Sequence, residues 1–205
     1  MLNFYMQGNK TLQFYTENVN SFIEGTINVD FHLVCNRFLA HLPACAIILD
    51  YGCGAGRDTK YFLEKNYAVD AIDGSPELCK FAKEYTGIDV KCMLFNELEV
   101  ENNYDGIWAC ASILHVKKSE LPDIFRKMIC ALKKEGYIYT SFKYGDFEGE
   151  VNGRYFSNFT TDSFNEFLRQ FPELCIAEEW ISSDVRPGRG EEKWLNVILK
   201  KRIFR

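Results

Sequence analysis

The segment that decides the fold runs from an apolar stretch through an acid into three alternating glycines: Ile47-Ile48-Leu49-Asp50-Tyr51-Gly52-Cys53-Gly54-Ala55-Gly56-Arg57-Asp58. The continuous apolar run Ala44–Leu49 is typical of a central strand that is buried on both faces. The polar stretch Arg57–Lys65 predicts a helix directly after the glycines. Because glycine has no Cβ and tolerates positive φ, the backbone of this turn can approach a bound ligand closely.

The acid that precedes the glycines indicates which ligand the turn would take. A pyrophosphate beside the loop would be repelled by Asp50, whereas the ammonium and sulfonium groups of S-adenosylmethionine (SAM) would be attracted. A nicotinamide-binding loop would read G-x-G-x-x-G without this acid. The segment therefore favours a SAM-dependent methyltransferase over a dehydrogenase.

Strand-like and helix-like segments alternate from residue 44 onward, which predicts a parallel sheet with helices on both faces. The further strands are expected at Tyr67–Ile72, Asp89–Leu94, Gly106–Cys110 and Tyr137–Phe142. A helical period begins at Leu121 and continues to Leu132, and Gly136 is expected to end that helix.

The last two predicted strands differ from the others in how they are connected. Cys175–Ser183 and Trp194–Lys200 are separated by a short polar loop that has no room for a crossover helix. They must therefore pair antiparallel. A parallel sheet that finishes in a hairpin again favours the methyltransferase interpretation.

The remaining segments are expected to cover the ligand edge of a single domain that spans residues 1–205. Two helical segments, Thr11–Glu24 and Val29–Leu42, precede the sheet, and we expect residues 1–43 to form a helical lid. The stretch 143–159 is rich in glycine, tyrosine and charge, and it is a candidate substrate-side insertion.

Composition excludes several other classes of protein. The 205 residues are 47% hydrophobic and 26% charged, with a formal net charge of −5, which is the profile of a globular domain. No run of lysine and arginine suggests a nucleic-acid partner. The eight cysteines form no C-x-x-C pair, so we expect reduced thiols and no metal site. Met1–Lys10 lacks a signal-peptide pattern and no membrane-length apolar stretch occurs, so we expect a cytoplasmic protein.

Several residues at the carboxyl ends of the predicted strands are candidates for cofactor binding. Asp73 ends the second strand, where a carboxylate can accept hydrogen bonds from both ribose hydroxyls. Asp70 is the rival acid in the same strand. Phe95 and Asn96 follow the third strand and could flank adenine, although Phe95 could equally fill the core.

Other residues are candidates for contact with the methyl acceptor. Ser112 and His115 close the fourth strand, and His115 could act as a general base, orient the acceptor or be purely structural. Arg186, in the loop Asp184–Gly190, could bind an anionic or carbonyl-bearing acceptor, or belong to a solvated turn. Tyr15 could cap the cofactor or pack in the core.

The chain resembles class I SAM-dependent methyltransferases in Leu49-Asp50-x-Gly52-x-Gly54-x-Gly56 and Asp73-Gly74-Ser75-Pro76. It is also similar to the tellurite-resistance-protein-like branch in Phe14-Tyr15, residues 108–115, 141–145, 184–189 and 194–196. The resemblance implies a three-layer α-β-α doubly wound sheet of seven strands with the last strand antiparallel. We expect the following residues to bind the cofactor: Tyr15, Asp50, Gly52, Cys53, Gly54, Arg57, Asp73, Gly74, Ser75, Phe95, Asn96, Ala111 and Ser112. Tyr51 departs from the family, which commonly has a small residue there, and it is expected to point into the sheet.

The sequence thus predicts methyl transfer from SAM, with S-adenosylhomocysteine (SAH) as product, to a small-molecule acceptor. Holding the nucleophile and the methyl group aligned would be the main catalytic contribution. An NAD-binding oxidoreductase, a non-catalytic SAM-binding module and an RNA-modifying enzyme remain as alternatives. The oligomeric state and the acceptor's identity are not encoded in any motif.

Overall fold

The structure, a computed structural model, describes residues 9–203. Seven strands form one sheet in the order β3-β2-β1-β4-β5-β9-β8, and β6 and β7 form a separate two-stranded hairpin. The strands are β1 Ile47–Tyr51, β2 Ala68–Asp73, β3 Val90–Cys92, β4 Tyr104–Ala109, β5 Leu132–Lys143, β6 Glu148–Val151, β7 Arg154–Ser157, β8 Leu174–Ser183 and β9 Lys193–Lys201.

Seven α-helices accompany the strands within the described residues. They are α1 Lys10–Glu17, α2 Val19–Thr26, α3 His32–Leu39, α4 Arg57–Glu64, α5 Pro76–Thr86, α6 Leu121–Ala131 and α7 Thr161–Leu168. Single 3₁₀ turns at Phe95–Glu97 and Ile113–His115 follow β3 and β4. Helices that connect parallel strands and cover both faces of the sheet are what a doubly wound fold requires.

The predicted fold class is confirmed. Strands β1 to β5 pair parallel, while β9 pairs antiparallel with both β5 and β8, so β9 is the one reversed strand and lies one position inside the edge. The ten-residue strand β8 and the nine-residue strand β9 are joined by a loop of nine residues, 184–192. This agrees with the argument that so short a connection forces antiparallel pairing.

Alternate residues of the central strands pack on opposite faces of the sheet. On β4, Ile107 and Ala109 belong to the core that α6 and α7 cover, whereas Trp108 faces the core that α3 and α4 cover. The Trp108 ring stacks on Tyr139 of β5 at a centroid distance of 4.0 Å. Both faces are therefore buried, which explains the continuous apolar runs of β1 and β4.

Several boundaries differ from the sequence-based expectation. The segment Thr11–Glu24 is two helices, because the chain leaves helical geometry at Asn18 (φ −113°, ψ 24°). The helix that starts at Leu121 ends at Ala131, and β5 begins at Leu132 rather than after Gly136. Leu132 keeps the apolar helical spacing, but it is fully buried and pairs with Tyr104 of β4. Burial against the sheet outweighs the local helical pattern here.

The segment 1–43, expected to form a lid, does not lie as a whole at the ligand edge. Residues 1–8 lie outside the described part of the chain. Helix α3 packs on the sheet, with Phe38 fully buried and its ring 5.2 Å from Trp108. Within residues 9–43, α1, α2 and the segment 27–31 lie at the ligand edge of the sheet.

All eight cysteines are free, and they range from buried (Cys35 and Cys79) to exposed (Cys45 and Cys130). Within residues 9–203, no helix has both the length and the apolar character that a membrane crossing requires.

Candidate active site

A cavity of about 510 Å³ lies beyond the carboxyl ends of β1, β2, β4 and β5. This is the edge at which parallel α/β sheets bind their ligands, and the volume is in the range of ligand-binding sites. With one exception, every predicted site residue lines the cavity: Tyr15, Asp50, Gly52, Cys53, Gly54, Arg57, Asp73, Gly74, Phe95, Asn96, Ala111, Ser112, His115 and Arg186.

The exception is Ser75, which is fully buried and does not line the cavity. Its hydroxyl oxygen accepts a hydrogen bond from the Leu78 backbone N–H at 3.4 Å, so it caps the N-terminus of α5. Ser75 therefore caps α5, and its expected contact with the cofactor stays a prediction.

The glycine loop approaches its surroundings too closely for any side chain at Gly52. Gly52 has φ +92°, and a Cβ there would lie 2.5 Å from Cβ of Ser112. The loop is also anchored to the second strand, because the backbone N–H groups of Gly52 and Cys53 both donate to the Ile72 carbonyl, at 3.0 and 2.9 Å. A side chain at this position would force the loop away from Ser112 and displace backbone that lines the cavity.

Asp50 is a buried carboxylate with room for a cation. Thr59 donates a hydrogen bond from Oγ1 to Asp50 Oδ2 at 2.5 Å. Among the described residues, no hydrogen-bond donor reaches the other oxygen, Oδ1. Burial, reinforced by the nearby charge of Asp58, raises the pKa of Asp50 to about 8. A cationic ligand group beside Oδ1 would stabilise the charged form, as the sequence analysis expects of the SAM ammonium group.

Asp73 is held rigidly by backbone donors at the end of β2. The N–H of Gly54 donates to Oδ2 and the N–H of Ser75 donates to Oδ1, each at 2.9 Å. Burial raises its pKa, although these hydrogen bonds act in the opposite direction. Each oxygen keeps a lone pair for a ligand hydroxyl. The rival acid Asp70 instead accepts a hydrogen bond from the Tyr104 hydroxyl at 2.9 Å and does not line the cavity.

Phe95 and Asn96 border the cavity at the 3₁₀ turn after β3, together with Met93 and Leu94, which sequence reasoning missed. The Tyr51 hydroxyl donates a hydrogen bond to the Phe95 carbonyl, and the two rings lie 4.8 Å apart. Tyr51 is fully buried, so its ring points into the core as expected and fixes the position of Phe95 without narrowing the cavity.

Arg57 lines the cavity with its charge already balanced. Its Nε and Nη2 donate to the two oxygens of Asp58 at 2.7 and 2.9 Å, and the guanidinium lies 4.9 Å from the Phe31 ring centre. Asp58 also accepts a hydrogen bond from Trp108 Nε1 at 2.9 Å. This network fixes the first turn of α4 behind the glycine loop.

His115 and Tyr15 meet across the cavity. The Tyr15 hydroxyl lies 2.9 Å from His115 Nε2, and Nδ1 of the same ring lies 2.6 Å from the Tyr155 carbonyl oxygen. A carbonyl only accepts, so Nδ1 carries the proton and Nε2 accepts from Tyr15. Burial, together with the charges of Arg154 and Lys143, lowers the pKa of His115 to about 4. The imidazole is therefore neutral at neutral pH, and its lone pair is occupied.

The opposite side of the cavity is basic. Lys143, Arg154, Arg186 and Arg189 all line it. Arg186 is forked onto Asp184, with Nε 2.9 Å from Oδ1 and Nη2 2.5 Å from Oδ2. Neither Lys143 nor Arg154 was among the residues predicted from sequence.

A turn signal in the sequence could have located Arg154. Asn152 and Gly153 have φ +49° and +77°, and they join β6 to β7 with Val151 opposite Arg154. Asn-Gly is the characteristic dipeptide of a tight hairpin turn, so the sequence marks Arg154 as the first residue of a returning strand. Its contact with the cavity depends on the packing of α1 and carries no local signal.

Comparison with known proteins agrees with this geometry. Residues 48–136 match the family model of a methyltransferase domain. An uncharacterized methyltransferase of Staphylococcus carnosus (strain TM300) is 28% identical over 162 residues, which is 75% of this chain and 78% of that protein.

Two solved structures show the same fold. The Burkholderia thailandensis 1,6-didemethyltoxoflavin-N1-methyltransferase, with bound 1,6-didemethyltoxoflavin and SAH, has a TM-score of 0.72 at 24% identity and covers 92% of this chain and 84% of its own. TehB from Haemophilus influenzae has a TM-score of 0.68 at 18% identity, with coverage of 88% and 66% respectively.

The fold, the domain match and the acid-guarded glycine loop together define an enzyme of the class I methyltransferases. Its cofactor is SAM.

Proposed function

We propose that this enzyme transfers a methyl group from SAM to a small molecule bound inside the cavity described above. The observation that carries the proposal is that α1 crosses over the cavity and is tied down on both sides of it. A site roofed in this way favours an acceptor that fits inside over a polymer that must lie across the edge of the sheet.

Helix α1 makes specific contacts on each side of the cavity. On the α5 side, Thr16 Oγ1 lies 3.3 Å from Ser75 Oγ, and Leu12 packs so closely on Gly74 that a Cβ there would lie 2.6 Å from it. On the hairpin side, the Tyr155 backbone N–H donates to Thr11 Oγ1 at 2.9 Å, and Lys10 pairs with Glu150 at 2.8 Å.

We therefore propose that α1 and α2, residues 10–26, act as the lid of a single domain. Residues 143–159, which contain the β6–β7 hairpin, act as the substrate-side wall. The lid must open for ligands to enter and close to exclude water. Its contacts with the hairpin are few and partly exposed, which suits a segment that opens locally.

The residues present suit the cofactor at each of its polar groups. Asp50, with an open oxygen, would accept from the ammonium group, and Asp73 would accept from the ribose hydroxyls. Gly52, Cys53 and Gly54 would contact the cofactor through backbone atoms, with Ala111 and Ser112 opposite them, while Phe95 and Asn96 would flank adenine. SAM, when bound, supplies an activated methyl group on a positively charged sulfur.

His115 would position the Tyr15 hydroxyl rather than take part in proton transfer. A neutral imidazole whose lone pair already accepts from Tyr15 is a poor general base. Of the roles expected for His115, the structure favours orientation over proton abstraction. By fixing the Tyr15 hydroxyl, His115 would hold the lid helix and one polar atom in a constant place above the acceptor.

Relatives give independent support at a coarser level. The Burkholderia enzyme is named for the methylation of a small molecule, and its structure holds that molecule together with SAH. Placement in the tellurite-resistance-protein-like branch remains a proposal that rests on the motifs at residues 108–115 and 184–189. The likeness to TehB is compatible with it.

The test is to supply radiolabelled methyl-SAM and the purified protein with a cell extract that has been divided by molecular mass. We expect label in the low-molecular-mass fraction, and none when the Asp73→Ala variant replaces the wild type. Label found only in RNA or protein would overturn the small-molecule assignment.

A further inference from the structure

Most cations of the cavity lie on the side away from Asp50 and Asp73. The acids with open lone pairs, Asp50 and Asp73, follow β1 and β2, where the cofactor is expected. The cations Lys143, Arg154 and Arg186 line the far side, formed by β5, the hairpin and the β8–β9 loop. The cofactor side therefore suits a cation, and the acceptor side has the opposite charge.

Most charges at the edges of the cavity are already paired. Arg186 is forked onto Asp184, and Lys143 Nζ lies 2.7 Å from Glu192. Glu120 and Asp123, which line the cavity at the start of α6, pair with Lys117 at 3.7 Å and with Arg126 at 2.7 Å. These pairs leave little net field to select a ligand.

Arg154 is the exception. Within residues 9–203, no carboxylate lies within ion-pairing distance of it, and its buried Nε has no hydrogen-bond partner. The guanidinium is held instead between two aromatic rings, 4.5 Å from the centre of Phe14 and 5.2 Å from that of Phe156. Aromatic faces orient a cation without neutralising it. A partly buried guanidinium without an anion is costly, so a binding partner for it is expected.

From these observations we infer that the methyl acceptor is a small organic anion with a flat apolar body, whose charged group binds Arg154. The inference rests on the proposed function and adds the substrate class. The apolar body would lie against Phe156, whose ring is 5.2 Å from the Arg154 guanidinium, and against Leu114 and Trp194, which also line the cavity. Arg154 would donate in the forked geometry that suits carboxylates and other planar anions.

An anionic acceptor also needs no general base, which agrees with His115, whose lone pair already accepts a hydrogen bond from Tyr15. A lone pair of the anion forms the new bond to the methyl carbon, the bond from that carbon to sulfur breaks, and its electron pair returns to sulfur. The negative charge of the acceptor and the positive charge of the sulfonium disappear together. No proton needs to be removed, so Tyr15 and His115 only have to position the acceptor.

The test is binding of matched acids and amides to the protein saturated with SAH. The probes are salicylate with salicylamide and nicotinate with nicotinamide, and calorimetry measures each affinity. We expect each acid to bind about tenfold or more tightly than its amide. In Arg154→Gln this preference should vanish while the affinity for SAH stays the same. The surface variant Arg169→Gln, which loses only an exposed ion pair with Glu166, is the matched control.

The outcomes separate the two proposals. Failure of SAH to bind the wild type would count against the proposed function itself. Equal binding of acids and amides to the SAH complex would overturn only the anionic acceptor. If Arg154→Gln does not fold, the salt dependence of binding to the wild type provides the test. Raising NaCl from about 50 mM to about 500 mM should weaken the binding of the acids and leave the affinity of the amides unchanged. An equal effect of salt on acids and amides would contradict the inference.

Discussion

The Tyr15 hydroxyl donates a hydrogen bond to Nε2 of His115, and this bond joins α1 to the 3₁₀ turn after β4 across the cavity. The Tyr155 carbonyl fixes the proton on Nδ1 from the other side of the ring. One imidazole thus connects the lid helix, the sheet and the hairpin. Its protonation state is a measurable property of the closed site.

We expect NMR titration of His115 to give a pKa of about 4, because burial and the nearby cations disfavour the imidazolium. Long-range proton–nitrogen spectra at pH 7 should show the tautomer protonated at Nδ1. His32→Gln and His41→Gln assign the signals, since the chain has three histidines. A pKa near the ordinary 6.5, or a proton on Nε2, would contradict the positioning role.

Stability should depend on pH through the same ring. The unfolded chain binds a proton at His115 near pH 6.5, whereas the folded chain does so only near pH 4. The stability that the neutral ring retains is therefore complete above about pH 6.5 and is lost as the pH falls towards about 4. Urea unfolding measures this loss. Between about pH 6.5 and about pH 4, the free energy of unfolding should fall less in His115→Gln than in the wild type, by on the order of 2 kcal/mol. Identical pH profiles for the two proteins would refute the buried neutral state.

Gly52→Ala should weaken cofactor binding, whereas the control variant Gly87→Ala should not. Gly52 and Gly87 both have positive φ, but a Cβ at Gly87 meets nothing within 4 Å, whereas at Gly52 it meets Ser112. Both variants should lose about 1 kcal/mol of stability from backbone strain. Only Gly52→Ala should also weaken SAH binding, by about tenfold or more as the loop shifts. Equal SAH affinities in calorimetry would show that the loop does not contact the cofactor.

The affinity for SAM should increase as the pH rises towards 8. Asp50 has a pKa of about 8 in the free site, so at lower pH a proton must leave before the carboxylate can attract the ammonium group. We expect up to about tenfold tighter binding per pH unit between about pH 6 and pH 8. Asp50→Asn should bind SAM more weakly and lose that dependence, because the amide has no proton to release. Any titration of SAM itself is common to both proteins and cancels in the comparison. A parallel pH response in the two proteins would remove Asp50 from the cofactor site.

The features that the sequence predicted are those encoded by local pattern. The acid before the glycines, Asp73 at a strand end and the short β8–β9 connection all follow from spacing and chain length. Local pattern is ambiguous at Ser75, because a helix cap and a cofactor contact use the same residue type at the same place. Arg154 was missed because its position depends on packing against Phe14 of α1, about 140 residues away in sequence. Packing between segments so far apart gives no recognisable pattern in the local sequence.

The most direct test of the central claim is calorimetric titration of SAH into the wild type, Asp73→Ala and Asp70→Ala. Asp73 borders the cavity and Asp70 does not, although both are acids of β2. We expect at least about hundredfold weaker binding in Asp73→Ala, since two charge-assisted hydrogen bonds are lost, and unchanged binding in Asp70→Ala. Wild-type affinity in Asp73→Ala, or a loss confined to Asp70→Ala, would contradict the placement of the cofactor at the carboxyl ends of β1 and β2.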